Sequence, residues 1–231
     1  MDELTELRDR PLVFVDDLAR PVLSDDDQHH FERVLRVGPG DPVTLGDGAG
    51  RWRPARFARR PEPTGAIASV APPPWAVTIA FSPVKGQRAE WFVQKLTELG
   101  VDRLLPIVSE RTVVRWDEAR AAKAHAKMVT VAREACLQAR RLVLPIVDPP
   151  TTLGDVLGRE PAAVLADPGG RPIGVDDRIV IVGPEGGFTD GERHEAATVA
   201  LPGHVLRAET AAVVAGALAC GLRASLVAPA Q

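Results

Sequence analysis

The stretch Ile179-Val-Ile-Val-Gly-Pro-Glu-Gly-Gly-Phe-Thr-Asp-Gly-Glu192 (IVIVGPEGGFTDGE) runs apolar for four residues, breaks at three glycines and a proline, and resumes with a helical signature. The apolar run Arg178 to Gly183 predicts a buried parallel strand. Thr189-Asp-Gly-Glu192 matches the S/T-x-x-E capping box that starts a helix. Gly183-Pro184-Glu185-Gly186-Gly187-Phe188 therefore lies at the carboxyl end of a strand, where ligands bind in open α/β sheets. Glycines there let a flat ligand approach the backbone, whose N–H and C=O groups can read a base edge. The loop lacks the Lys-Ser/Thr of a Walker A sequence and the spacing of G-x-G-x-x-G, so phosphate is not the obvious ligand. A tight strand-to-helix turn with no ligand remains the alternative.

Outward from this loop the chain shows two organisational units. Apolar strands (AVTIAFSPV, RLLPIVS, AAVLAD, RIVIVG, HVLRAE) alternate with helical segments after residue 74, which predicts an α/β domain with a parallel sheet covered on both faces. WFVQKLTELG spaces Phe92, Val93, Leu96 and Leu99 for a helix that stops at Gly100. From Pro11 to about Val70 the pattern is instead one of short strands (LVFV, PVTLG, ARFAR, AIASV) with a turn at GDG 46–48 and one helix after Ser24, a plausible N-cap. That reads as a small β-barrel-like domain. Ala71-Pro72-Pro73-Pro74 forms a stiff linker. The boundaries are set at 1–72 and 75–231.

At 231 residues and 45% hydrophobic, the chain can bury a sizeable core. The N-terminus does not resemble a signal peptide, and no run of about 18 apolar residues could cross a bilayer, so a soluble, cytoplasmic protein is expected. Cys136 and Cys220 sit in Ala-rich helical surroundings without metal spacing and read as structural. His29 and His30 lack further ligands, and no metal is expected. The net charge of −3 conceals an asymmetry, because residues 1–30 hold nine acids against three arginines. RWRPARFARR at 51–60 has five arginines and no acid, and a second basic stretch spans 111–141. Two such patches suit a polyanion, although solvated helix faces would look the same. Arg207 and Glu209 in HVLRAET are expected on a short strand, just before an Ala-rich helix from Ala211 to about Val227. They read either as a structural ion pair or as a pair that orients a substrate.

GPEGGF at 183–188 together with LRAETA at 206–211 resembles the paired signature of the ribosomal RNA small subunit methyltransferase E family. The likeness extends through DDQHHFERVLRVGPGD at 26–41, KGQRAEWFVQKLTELGV at 85–101, SERTVVRW at 109–116 and EACLQARRLVLP at 134–145. It implies an S-adenosylmethionine-dependent enzyme that methylates N3 of one uridine in 16S rRNA, uracil-1498. It also implies a SPOUT-type C-terminal domain with a trefoil knot, preceded by a PUA-like RNA-binding barrel, and a homodimer. In such a fold three loops would hold the cofactor: Leu165-Ala166-Asp167 with Val182, the loop Gly183-Pro184-Glu185-Gly186-Gly187, and Leu201 to Thr210 with Gly203 and Leu206. The residues assigned to RNA are His29, His30, Arg33 and Arg36, then Arg53 and Arg56, then Arg111, Arg140 and Arg141. The dimer would use Val213, Val214 and Leu218 on the C-terminal helix.

The chemistry points independently to Arg207 and Glu209 as the nearest candidates, with Glu185 a weaker one. Uracil N3 carries a proton and is a poor nucleophile, so a carboxylate must remove that proton while a cation meets the charge developing on the ring. Two rival readings are a non-catalytic RNA-binding protein, in which the glycine loop is only a turn, and a nucleotide-dependent oxidoreductase. The second lacks a G-x-G-x-x-G after an early strand.

Overall fold

Proline at three consecutive positions marks the place where the chain divides. One unit comprises residues 1–72 and 136–144, the other 73–135 and 145–231. The computed structural model describes residues 9–84 and 88–228. The Lys85-Gly86-Gln87 start of the KGQRAEWFVQ motif and the acids at positions 1–8 lie outside the described residues.

In the first unit, β1 (Leu12–Phe14) pairs parallel with β2 (Pro42–Gly46), and β2 pairs antiparallel with β3 (Arg51–Arg56). β4 (Glu62–Pro63) and β5 (Ala68–Ser69) both pair antiparallel with β3. Short β-branched and aromatic runs broken by glycine turns account for this sheet. Ser24 caps α1 (Asp25–His29) as expected, its hydroxyl accepting from the Asp27 amide, and the chain continues as a π-helical turn over His30–Val34. Phe31, Val43, Leu45 and Phe57 form one core cluster. A second cluster packs Leu12, Phe14 and Trp52 against Cys136 and Leu142, which is why Cys136–Leu144 belongs to this unit.

In the second unit, seven parallel strands follow the order β12-β10-β11-β6-β7-β8, with β9 also on β7. They are β6 (Thr78–Phe81), β7 (Arg103–Val108), β8 (Ile146–Val147), β9 (Thr151–Thr152), β10 (Val164–Pro172), β11 (Ile179–Val182) and β12 (Thr198–Ala200). The alternation of the strands explains why both faces are covered. Ile79, Phe81, Val180 and Val182 face one core with α2 (Arg88–Leu99), α3 (Glu118–Ala139) and α6 (Ala208–Arg223). Ala80, Ile181 and Leu165 face the other with Leu153 and Val156 of α4 (Leu153–Arg159). Phe92, Val93 and Leu96 of α2 are wholly buried, each worth about 1.5–3 kcal/mol. Leu99, at 37% exposure, is not part of that face. The helix ends in a Schellman motif: Gly100 takes φ +93°, its amide donates to Thr97 and that of Val101 to Leu96.

One expected element is absent from its place. HVLRAE forms no strand, because Gly203 turns the backbone at φ +102° and α6 begins at Ala208. Arg207 is thus the N-cap and Glu209 lies in the first helical turn, and the helix ends at Arg223 rather than near Val227. The edge strand of the sheet is Thr198–Ala200. Both cysteines are on helices and neither forms a disulfide, and burial pushes the Cys136 thiol up to about 11. Among the described residues no helix is long and apolar enough to cross a membrane, and no cluster of His, Cys, Asp and Glu could hold a metal ion.

Candidate functional site

Three irregular segments converge at the carboxyl ends of β10, β11 and β12 around a cleft of about 620 Å3. The first arises because β10 meets Val199 twice, through Ala166 and again through Arg171. The intervening Asp167-Pro168-Gly169-Gly170 bulges out of the ladder. Gly170 is required there, since a Cβ would lie 2.5 Å from the Val199 amide nitrogen. Burial would raise the Asp167 carboxyl, but the Arg193 guanidinium at 2.7 Å and the Gly169 amide hold it below its usual value.

The second segment is the glycine loop, and its three glycines have different physical reasons. A Cβ on Gly183 would come within 3.0 Å of the Phe188 ring, which is 1% exposed and packs on the core below the cleft. Gly187 takes φ +65°, closing a turn with its amide 2.8 Å from the Pro184 carbonyl. Gly186 is exposed at the cleft, and a Cβ there would touch the Arg111 side chain at an ordinary 3.5 Å. α5 (Asp190–His194) then starts with the expected capping box: Thr189 Oγ1 accepts from the Glu192 amide, and the Glu192 carboxylate accepts from Thr189.

The loop after β7 clamps this second segment. Arg111 Nη1 donates to the carbonyls of Gly186 at 2.9 Å and Phe188 at 3.2 Å. Buried Glu192 also accepts from the Glu110 amide at 2.8 Å. Ser109, Thr112 and Ser82 form a hydroxyl cluster behind it. Arg111, expected among the RNA contacts, is exposed and braces the glycine loop through these two bonds. The third segment runs from Leu201 through Gly203 and Leu206 to Ala208, and it carries Val205 at 92% exposure on the cleft rim.

Most of the residues expected around a cofactor come together. Ala166, Asp167, Val182, Gly183 to Gly187, Leu201, Gly203 and Leu206 all line the cleft. Leu165 does not, because strand alternation turns it into the core with Ala80 and Ile181, and Thr210 is exposed in the first turn of α6 instead. Phe188, Arg193 and His204 also line the cleft. The sequence held a signal for Arg193, in the last turn of the helix that the capping box announces. Arg207 is exposed between the cleft residues Leu206 and Ala208, and Glu209 is half-buried.

The residues expected at RNA divide by their partners. His29, His30, Arg33 and Arg36 are exposed along α1 and the turn after it, and Arg56 is exposed on β3 with its Nη1 donating to the Gly40 carbonyl at 3.0 Å. Arg53 spends its guanidinium on the carbonyls of Leu18 and Gly65, which makes it a structural brace. Arg140 is half-buried at φ +56°, donating to Leu137, and burial lowers its pKa. Arg141 is half-buried as well.

A family model described as an RNA methyltransferase domain matches residues 71–219, and one described as an RNA methyltransferase PUA domain matches residues 23–62. The chain is 31% identical to Ribosomal RNA small subunit methyltransferase E of Mycobacterium bovis, with 88% of each chain covered. It is 30% identical to the Bacillus subtilis protein of that name, over 62% of this chain and 64% of the relative. Among solved structures, a ribosomal RNA small subunit methyltransferase E from Neisseria gonorrhoeae bound to S-adenosyl methionine has 30% identity and a TM-score of 0.79, covering 92% of this chain and 98% of its own. A putative methyltransferase from Legionella pneumophila in complex with the same cofactor has 26% identity and a TM-score of 0.80, covering 96% and 99%.

Proposed function

The chain belongs to the ribosomal RNA small subunit methyltransferase E family, and we propose that, as an S-adenosylmethionine-dependent rRNA methyltransferase, it modifies N3 of one uracil of 16S rRNA, uracil-1498. The observation that carries this reading is the cleft where the glycine loop meets Leu201 to Ala208. Its lining fits the cofactor. Val182, Leu201 and Leu206 offer apolar walls for a purine, and the glycine loop presents backbone amides and carbonyls without side chains in the way. Of the two carboxylates on the lining, Asp167 is neutralised by Arg193, and Glu185 stands at the exposed edge of the glycine loop.

S-adenosylmethionine, when bound, supplies a methyl group on a sulfonium that is already a good leaving group. The chain's residues must hold it, exclude water and manage the uracil proton. Glu209, in the first turn of α6, is the acceptor for that proton, and Arg207 meets the charge that develops on a ring oxygen. The amino end of α6 adds positive polarisation at the same place. The target base must leave its stack to reach the cleft, at a cost of about a few kcal/mol. RNA contacts from the first unit, through His29, His30, Arg33, Arg36 and Arg56, help offset it.

The strand order supports a trefoil-knotted SPOUT arrangement, since β12 lies outside β10 while the helix that follows packs back on α2. The half-buried Val213, Val214 and Leu218 on α6 and the exposed rim residue Val205 suit a homodimer that completes the cleft. A monomer by light scattering at micromolar concentration overturns the dimer. The decisive test of function is incubation with unmodified small subunits and labelled cofactor, followed by mapping of methylated nucleosides. Label at N3 of a single uridine is expected, and label elsewhere or none refutes the assignment.

The structure also selects the residues for a test of the RNA face. Arg33→Glu with Arg36→Glu removes two exposed cations without disturbing the Arg53 brace or the Arg56 bond to Gly40. The double variant should bind RNA more weakly, with a flatter salt dependence because fewer counterions are released. Cofactor affinity and melting temperature should stay at wild-type values. An unchanged salt slope places the RNA elsewhere.

A further inference from the structure

A second cleft, of about 450 Å3, opens at the carboxyl ends of β6 and β7, the strands next to β11 in the sheet. Val84, Val114, Ala124 and Met128 give it an apolar lining, and Trp116, Arg115 and Arg120 complete it. Met128 is 1% exposed and Val84 4%, so this floor belongs to the core and is preformed. Trp116 is half-buried beside it. The two guanidiniums are exposed at the mouth. Arg120 pairs loosely with Asp117 at 3.4 Å, and Arg115 makes a single long bond to the Glu110 carbonyl, also at 3.4 Å. The carboxylate of Glu90, which also lines the cleft, is neutralised by Lys127 at 2.6 Å.

We propose that this cleft is a nucleotide subsite, in which a base of the RNA strand stacks against Trp116 over the apolar floor while Arg115 and Arg120 hold its phosphate. An apolar slot with an indole and two weakly engaged guanidiniums at its mouth has the chemistry that single-stranded nucleic acid requires: a sequence-tolerant stacking surface and cations that follow the backbone. A purely apolar ligand would leave the two arginines without use. A phosphate alone would leave the tryptophan and the floor without use.

The position of the cleft identifies which nucleotide it takes. The loop after β7 carries both sites, with Arg111 on the carbonyls of the glycine loop and Arg115 at the second cleft. Four residues of extended chain reach at most about 14 Å. A strand whose target base enters the cofactor cleft can therefore place a nearby nucleotide in the second. This rests on the methyltransferase reading for the identity of the strand, and it names the part of the substrate that the reading leaves unassigned. Stacking a neighbour here would hold the strand unpaired while the target base is out of its stack.

The test compares wild type, Trp116→Ala, Trp116→Phe and Arg115→Ala in two assays. The first is binding of a short labelled oligouridylate by fluorescence anisotropy, and the second is methyl transfer to unmodified small subunits. Trp116→Ala should weaken oligouridylate binding about tenfold, the scale of one lost stacking contact, and Trp116→Phe should restore most of it. Arg115→Ala, a change at an exposed position, should weaken binding and make its salt slope shallower by about one phosphate contact. Cofactor affinity by calorimetry should stay within twofold in all three, and KM for the subunit should rise with little change in kcat. Undiminished oligouridylate binding in Trp116→Ala overturns the subsite, and so does a loss of cofactor affinity equal to the loss of RNA affinity. If wild type transfers no methyl group to the subunit, the methyltransferase reading fails, while the anisotropy series still decides the subsite.

Discussion

Gly170→Ala is expected to lower the melting temperature by about 6–12 °C, the shift that follows from about 3 kcal/mol in a chain of this size. The added methyl would stand 2.5 Å from the amide nitrogen of Val199 and 2.6 Å from the carbonyl carbons of Thr198 and Val199. Those atoms are backbone, so no rotamer change can make room, and the cost sits at the upper end of the usual overpacking range. Nor can β10 slide away. Arg171 holds Asp177 through two bonds of 2.7 Å, and burial of Asp177 is outweighed by that guanidinium and the Gly174 amide, which keep its carboxyl below the ordinary value. Relief would have to come from parting β10 and β12, whose ends carry the cofactor cleft. Affinity for S-adenosylmethionine should therefore fall together with stability. Gly154→Ala is the control, because nothing lies within 4 Å of its added Cβ and the position is helical. It should stabilise by about 0.5–1 kcal/mol. Equal melting temperatures for the two variants would show that the bulge at Gly170 yields easily.

The contrast between these two glycines shows what a sequence carries and what it does not. Gly100 and the Thr189–Glu192 box were legible because their effects are local: each is settled by hydrogen bonds within six residues. The cleft was legible for a similar reason, since an apolar strand followed by a glycine loop implies a ligand-accessible strand end whatever the rest of the fold does. Gly170 carries no such local mark. Its requirement comes from a strand 28 residues later that crosses its backbone. The carbonyl partners of Arg53 and Arg111 are equally invisible in the local sequence. A basic patch in sequence counts charges, but whether a guanidinium faces solvent or a carbonyl depends on residues far along the chain, such as Leu18 for Arg53 and Gly186 for Arg111. HVLRAE reads as a strand from its place in the alternation of apolar strands with helices. Val205 is exposed, and among the described residues the segment pairs with no strand. Cys136–Leu144 joins the first unit through Leu142 and Leu144 beside Trp52, a contact between segments some 90 residues apart.

The larger functional effect is expected at Arg207 and Glu209. If Glu209 takes the N3 proton and Arg207 meets the charge left on the ring, both act on groups that appear chiefly in the transition state. Arg207→Ala and Glu209→Gln should then cut the single-turnover rate by about 10²–10³, in the range for losing a general base or one oxyanion donor. Cofactor affinity should change little, because Leu206 and Ala208 line the cleft while the two charged residues do not. A structural role predicts another pattern. Arg207 is the N-cap of α6 without a side-chain cap bond and is exposed, so its loss should scarcely move the melting curve on either reading. Glu209 is half-buried, and its amide isostere tests the charge at constant shape. The rate of Glu209→Gln should recover as pH rises towards the pKa of uracil N3, since hydroxide can then remove the proton that the missing carboxylate no longer takes. The rate of Arg207→Ala should not recover in that way, because it lacks stabilisation of the anion rather than the base. Two variants with wild-type melting curves, depressed turnover and different pH profiles would assign the two roles separately. Wild-type turnover per folded molecule in both would move the proton transfer to another group, with Glu185 at the exposed edge of the glycine loop as the remaining carboxylate of the cleft once Asp167 is committed to Arg193.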